Sequence, residues 1–125
     1  MLANAPVYAS LPTTDLARAR GFYEHTLGLK AEPEEEEGAM TFRAGGGTVL
    51  LVYQRPPSPA EHTLAFFVVD DFDRTFAGLR ERGVVFEEYD MPELKTEDGV
   101  AARSDGKRVA WFKDPDGNIL GLFEK

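Results

Sequence analysis

The sequence predicts an α+β fold made of two tandem βαβββ modules, and three observations carry that expectation. One glycine turn feeding an apolar strand is written twice. Gly47-Thr48-Val49-Leu50-Leu51-Val52-Tyr53-Gln54 overlays Gly117-Asn118-Ile119-Leu120-Gly121-Leu122-Phe123-Glu124 at an offset of seventy residues. The match extends beyond that strand, because Phe42-Arg43 overlays Phe112-Lys113 at the same offset, and Asp15 overlays Asp71 at fifty-six. Finally, Arg55-Pro56-Pro57-Ser58-Pro59 separates two stretches that share one order of elements. Prolines cannot donate to a strand ladder, so this stretch reads as a stiff linker. The expected organisation is a single domain over 1–125, with module one at about 5–55, the linker at 55–59 and module two at about 62–124.

In the first module, residues 7–11 read as a strand, and Pro12-Thr13-Thr14-Asp15 supplies a breaker and a helix N-cap. Leu16, Ala19, Phe22, Tyr23 and Leu27 then recur at helical spacing and predict one apolar stripe, which Gly28 terminates. Strands are expected near 29–34, 39–44 and 48–54. The second module restarts with a Phe- and Val-rich strand at 63–69. Asp70-Asp71 caps a helix with Phe72, Phe76 and Leu79 on one face, and Gly83 ends it. Strands follow at 84–89, 108–113 and 118–123, the last two joined by Asp114-Pro115-Asp116-Gly117. The extra length of this module is a polar loop at 90–107. Four strands and one helix leave one sheet face bare, and a second copy can cover it. The two curved sheets are then expected to form a cupped mixed sheet around a cleft, a favoured place for ligands.

Composition narrows the function. Forty-two per cent apolar residues fit a globular chain, and the absence of cysteine excludes disulfides, thiolate zinc sites and a Cys nucleophile. A net charge of −8 with scattered basic residues argues against nucleic acid and anionic membranes as partners, because both bind through Lys and Arg. No apolar run is long enough to span a bilayer, so a cytoplasmic protein is expected. Glu34-Glu35-Glu36-Glu37 reads as a solvated hairpin tip, and Gly45-Gly46-Gly47 as a turn between strands, not an anion-binding loop before a helix. No nucleophile elbow, GxxxxGK[ST] or GxGxxG is present.

Asp15-Leu16, Phe22-Tyr23, Leu27-Gly28, Asp70-Asp71, Gly83 and Asp114-Pro115-Asp116-Gly117-Asn118, in that order, resemble the vicinal oxygen chelate superfamily. This group contains glyoxalase I, bleomycin-resistance proteins and extradiol dioxygenases. The resemblance implies paired βαβββ modules, commonly in a homodimer. It also implies a divalent metal held by His, Gln or Glu from the first and last strand of each module. On this sequence those positions are Tyr8, Leu51, Leu64 and Gly121. Two leucines, a bare Cα and one phenol cannot hold a divalent ion, so no metal and no cofactor is expected.

What remains is an apolar, aromatic-lined cleft. Alternation places Tyr53 on the face of Leu51 and Phe66 on that of Leu64. His62 joins the latter face if its strand begins early enough, and reads otherwise as a hydrogen-bonded strand-edge residue. Leu51, Leu64 and Gly121 are expected to leave apolar surface and open space, with the Tyr8 hydroxyl and His62 ring as orienting polar groups. Trp111 either stacks on a ligand or packs the core. Met91 offers an adaptable contact if Tyr89-Asp90-Met91-Pro92 lids the cleft. His25 reads as a surface residue; Glu93, Glu97 and Asp98 read as solvated. The expectation is a metal-independent binder of a small aromatic or amphipathic compound, similar to the bleomycin-resistance branch. The competing class is an enzyme: a lyase, isomerase or dioxygenase with an unusual metal site, or a metal-free one using His62 and Tyr8.

Overall fold

A computed structural model of the chain describes residues 1–33 and 37–125. The chain divides into two compact units, 1–59 and 60–125. The acidic run expected as a hairpin tip lies, at Glu34, Glu35 and Glu36, outside the described residues.

In the first unit, β1 (Ala9–Thr13) is followed by α1 (Leu16–Arg20), which continues as a π-helix over Gly21–Thr26. Then come β2 (Lys30–Ala31), β3 (Ala39–Arg43) and β4 (Val49–Gln54). The sheet order is β1-β4-β3-β2, with β1 parallel to β4 and the other pairs antiparallel. Asp15 caps α1 as expected, its carboxylate accepting from the Arg18 N–H at 3.1 Å. The apolar stripe does not run through a regular α-helix. Leu27 N–H reaches the Phe22 carbonyl five residues back, and Leu29 N–H reaches Tyr23 beyond Gly28, at φ +77°. Tyr23 is fully buried and meets Phe42 with ring centroids 5.5 Å apart. Leu11, Val52 and Met40 stand in one row across three strands and are all buried, so this face carries the core.

The second unit begins with β5 (Thr63–Val69) and α2 (Phe72–Glu81). It continues with β6 (Asp90–Met91), β7 (Leu94–Lys95), β8 (Ala101–Ala102), β9 (Arg108–Lys113) and β10 (Ile119–Glu124). The order β5-β10-β9-β8, with β5 parallel to β10, mirrors the first sheet. Asp71 caps α2 by accepting from Arg74 N–H at 3.1 Å, and Gly83 at φ +93° follows its end. Phe72, Phe76, Phe86 and Phe112 pack in sequence, with centroids 5.8, 4.2 and 5.7 Å apart, under the same sheet face as Leu120 and Leu122. The final turn closes tightly: Asp114 Oδ1 accepts from the N–H groups of Asp116 and Asn118, each at 2.9 Å, with Gly117 at φ +83°.

Several expected strands change. The first runs two residues later and includes Pro12, which an edge strand tolerates. The strand expected at 29–34 shrinks to two residues. The one expected at 84–89 does not form; only Phe86 bridges to Phe112, and Glu87 N–H bonds the Trp111 carbonyl at 2.7 Å. The reason is competition for one edge. β8 takes the other end of β9, through Ala101 and Ala102, and the chain leaves the sheet in between. The region 90–107, expected as a loop, therefore contains the β6–β7 hairpin and β8.

Candidate functional site

Each sheet has one buried face and a second face that carries the residues of interest. In the first unit Leu51 lies between Ser10 and Thr41, and Tyr53 between Pro12 and Ala39. Leu51 and Tyr53 share that face and are partly exposed, as alternation requires. Tyr8 lies just before β1 and is exposed, so no strand fixes its phenol.

In the second unit Phe66, Gly121 and Trp111 form one row across β5, β10 and β9. Leu64 falls at a register shift, where Thr63 pairs with Ile119 and Ala65 with Leu120, so the pairing gives it no partner in the row of Phe66. Phe123 shares the face of Gly121, two residues on. Its ring stacks on Phe66 at 4.3 Å and 17° between planes, and Trp111 meets it edge-on at 6.4 Å and 84°. Tyr89 in turn meets Trp111 at 5.6 Å and 80°. Four aromatic side chains thus run in contact across one face. Phe66 remains 54% exposed, and Trp111 and Phe123 are partly exposed, so the row is reachable from solvent.

Two members of this row, Phe123 and Tyr89, were not expected as site residues. The signal for Phe123 is its spacing of two from Gly121. Nothing in the sequence indicates that the Tyr89 ring returns to Trp111, because the expected strand at 84–89 is replaced by a bridge. Burial, and secondarily the carboxylate of Glu87, push the Tyr89 phenol above its ordinary value, so it stays protonated and able to donate. Tyr89 also borders a groove of about 820 Å³ with Thr96, Glu97, Val100 and Ala101.

One expectation is corrected at Gly121. Gly121 does not leave open space: a Cβ there would stand 2.7 Å from Phe123 Cε1 and 2.9 Å from Phe66 Cβ. His62 takes the strand-edge alternative: it precedes β5, is exposed, and its Nδ1 lies 3.1 Å from the Thr63 carbonyl. Met91 sits exposed on the β6–β7 hairpin. Trp111 is neither fully buried in the core nor free, being held by aromatic edges on two sides.

The donor chemistry at the four positions implied by the family resemblance does not fit a divalent ion. Leu51, Leu64 and Gly121 carry no side-chain oxygen or nitrogen, and Tyr8 offers one phenol. Among the described residues no three His, Asp or Glu side chains group closely enough to hold a metal. No helix among them is long and apolar enough to cross a membrane.

Two four-stranded mixed sheets, each wound as βαβββ, define an α+β protein of the paired-module type. The chain belongs to the Glyoxalase/Bleomycin resistance protein/Dioxygenase superfamily, whose family profile matches residues 5–122. It is similar in structure to TnmS3, an antibiotic binding protein from Streptomyces sp. CB03234, with 26% identity and a TM-score of 0.68 over 99% of this chain and 98% of that one. It is similar to a bleomycin resistance determinant encoded on the transposon Tn5, with 21% identity and a TM-score of 0.74 over 98% of each chain. A lactoylglutathione lyase from Agrobacterium tumefaciens shares the fold at 19% identity, with a TM-score of 0.73 over 97% and 93% of the two chains. No curated protein sequence matches the chain.

Proposed function

We propose that this chain is a small-molecule-binding member of the superfamily that captures a flat, largely apolar compound without a divalent metal. The observation that carries the reading is the contiguous row Tyr89, Trp111, Phe123 and Phe66. Aromatic faces offer large apolar area and preferred edge and stacking geometries, and each ring buried against a ligand removes apolar surface from water at about 25 cal/mol per Å². The lack of nitrogen and oxygen donors at Leu51, Leu64 and Gly121 supports the metal-free part. Similarity to an antibiotic binding protein at 26% identity supports capture over turnover. On this reading Met91, in the same unit as that row, contributes a flexible contact. The protein acts as a cytoplasmic homodimer. A metal-free enzyme built on His62 and Tyr8 is disfavoured, because both are exposed and precede their strands.

Elemental analysis and a ligand screen test the reading together. The expected result is less than one transition-metal ion per chain after dialysis against a weak chelator, with flat aromatic compounds binding at micromolar concentration and perturbing Trp111 emission. Chelator-sensitive lyase activity on the methylglyoxal–glutathione adduct, or a screen of aromatic compounds with no binder, overturns it.

A further inference from the structure

Gly121 and Phe123 solve one packing problem together. The Phe123 ring lies across the bare Cα of Gly121, where a Cβ would stand 2.7 Å from Cε1 of that ring. One wall is the Phe66 ring, stacked at 4.3 Å, and another is the edge of Trp111 at 6.4 Å. Covering a strand glycine with an aromatic ring shields backbone that would otherwise face water. Floor, plane and edge together make a seat shaped for one aromatic ring.

We propose that this seat is the ring-binding subsite of the protein, occupied in the free chain by its own Phe123, and that a ligand ring enters by displacing that side chain. The proposal rests on the small-molecule-binding reading and adds where the ring goes and what competes with it. The seat's two walls and the ring now in it are aromatic, so its ligand is a neutral, flat ring of phenyl size; a charged ring would lose hydration without a partner. Phe123 is only partly buried, so swinging it outward breaks less contact than moving a core ring would. An internal competitor lowers apparent affinity by the fraction of time the seat stands empty. Removing the competitor should therefore tighten binding, the opposite of what deleting a ligand contact does.

Benzyl alcohol, titrated against the full chain and followed by calorimetry and Trp111 emission, tests this. Phe123→Ala should bind one molecule per chain at least about tenfold more tightly than the wild type. A folded Phe123→Ala protein that binds equally or more weakly overturns the seat. If that variant lacks a cooperative melt, Phe123→Leu decides: a smaller tightening supports the proposal, and none overturns it. The two readings fail separately. A wild type that captures a screened compound with no gain on Phe123→Ala overturns the seat alone. A gain for benzyl alcohol on Phe123→Ala, with no screened compound bound by the wild type, supports the seat and overturns the natural binding role.

Discussion

Arg108 clamps Glu124 across adjacent strands: its Nε donates to Oε1 at 3.3 Å, its Nη2 to Oε2 at 2.9 Å, and its own backbone N–H to Oε1 at 2.9 Å. Nη1 reaches Asp73 Oδ1 at 2.5 Å, and the guanidinium lies 4.9 Å from the Phe72 ring centroid. One side chain therefore ties β9 to β10 and both to the start of α2. A lysine could not reproduce this, because only the planar fork bonds two carboxylates while stacking on a ring.

The first prediction concerns pH. Hydrogen bonds from the Arg108 side chain, then from its backbone, hold Glu124 down at about 2, and side-chain bonds to Glu124, then to Asp73, raise Arg108 above its ordinary value. A carboxylate depressed in the folded state contributes stability above its ordinary pKa, and that contribution is lost as pH falls toward the folded value. Glu124→Gln should therefore have a lower urea midpoint than the wild type at neutral pH. The gap should narrow from about pH 5 downward and nearly close around 2. A gap that stays constant over that range refutes the linkage.

The second prediction concerns the last turn. Asp114 and Asn118 are buried, and Asp114 accepts from two N–H groups at 2.9 Å and from Asn118 Nδ2 at 2.8 Å. Asp114→Ala strands those donors, so unfolding experiments should show a loss of about 1–3 kcal/mol. The exposed Asp105, bonded to Lys107 and Arg103 on the surface, is the control; its alanine variant should change stability by less than about 0.5 kcal/mol.

The third prediction is the homodimer. β5 ends the order of its sheet and exposes Phe66 and Val68, 54% and 56% accessible. An apolar edge strand of this kind is a pairing surface unless something covers it. Light scattering at roughly 50 µM should give twice the chain mass of 13.9 kDa, and Val68→Lys should shift the protein toward monomer. A monomer mass for the wild type at that concentration ends the proposal.

Most of the architecture was legible because its signals are local. Asp15 and Asp71 cap helices through their own carboxylates, Gly83 and Gly117 sit at positive φ, and alternation puts Leu51 with Tyr53. The failures were non-local. No pattern within 84–89 reveals that β8 competes for the same edge of β9. A stripe of five apolar residues cannot separate an α-helix from one that widens after Arg20. Of the proposed site, the sequence places Phe66, Trp111 and Gly121, which fall in one row, but a bare glycine in a sequence does not say what lies above it. Here a ring from two residues away does.

That ring changes what a substitution at Gly121 means. In the sequence Gly121 reads as open apolar space, yet even one methyl group has no room there. A Cβ would meet the Phe66 Cβ at 2.9 Å, close to backbone that cannot swing away, and the Phe123 ring at 2.7 Å, which can. Gly121→Ala should therefore cost about 1–3 kcal/mol of stability through overpacking. The share of that cost set by the Phe123 ring should vanish when Phe123 is already Leu, while the share set by the Phe66 Cβ remains. The two substitutions should couple by about 0.5–3 kcal/mol in a double-mutant cycle read by urea denaturation. Strict additivity would mean that Phe66 and the β5 backbone, not Phe123, set the limit at Gly121. In the same cycle Trp111 emission should shift with Phe123→Leu even without ligand, since that ring is one of the two edges it packs against.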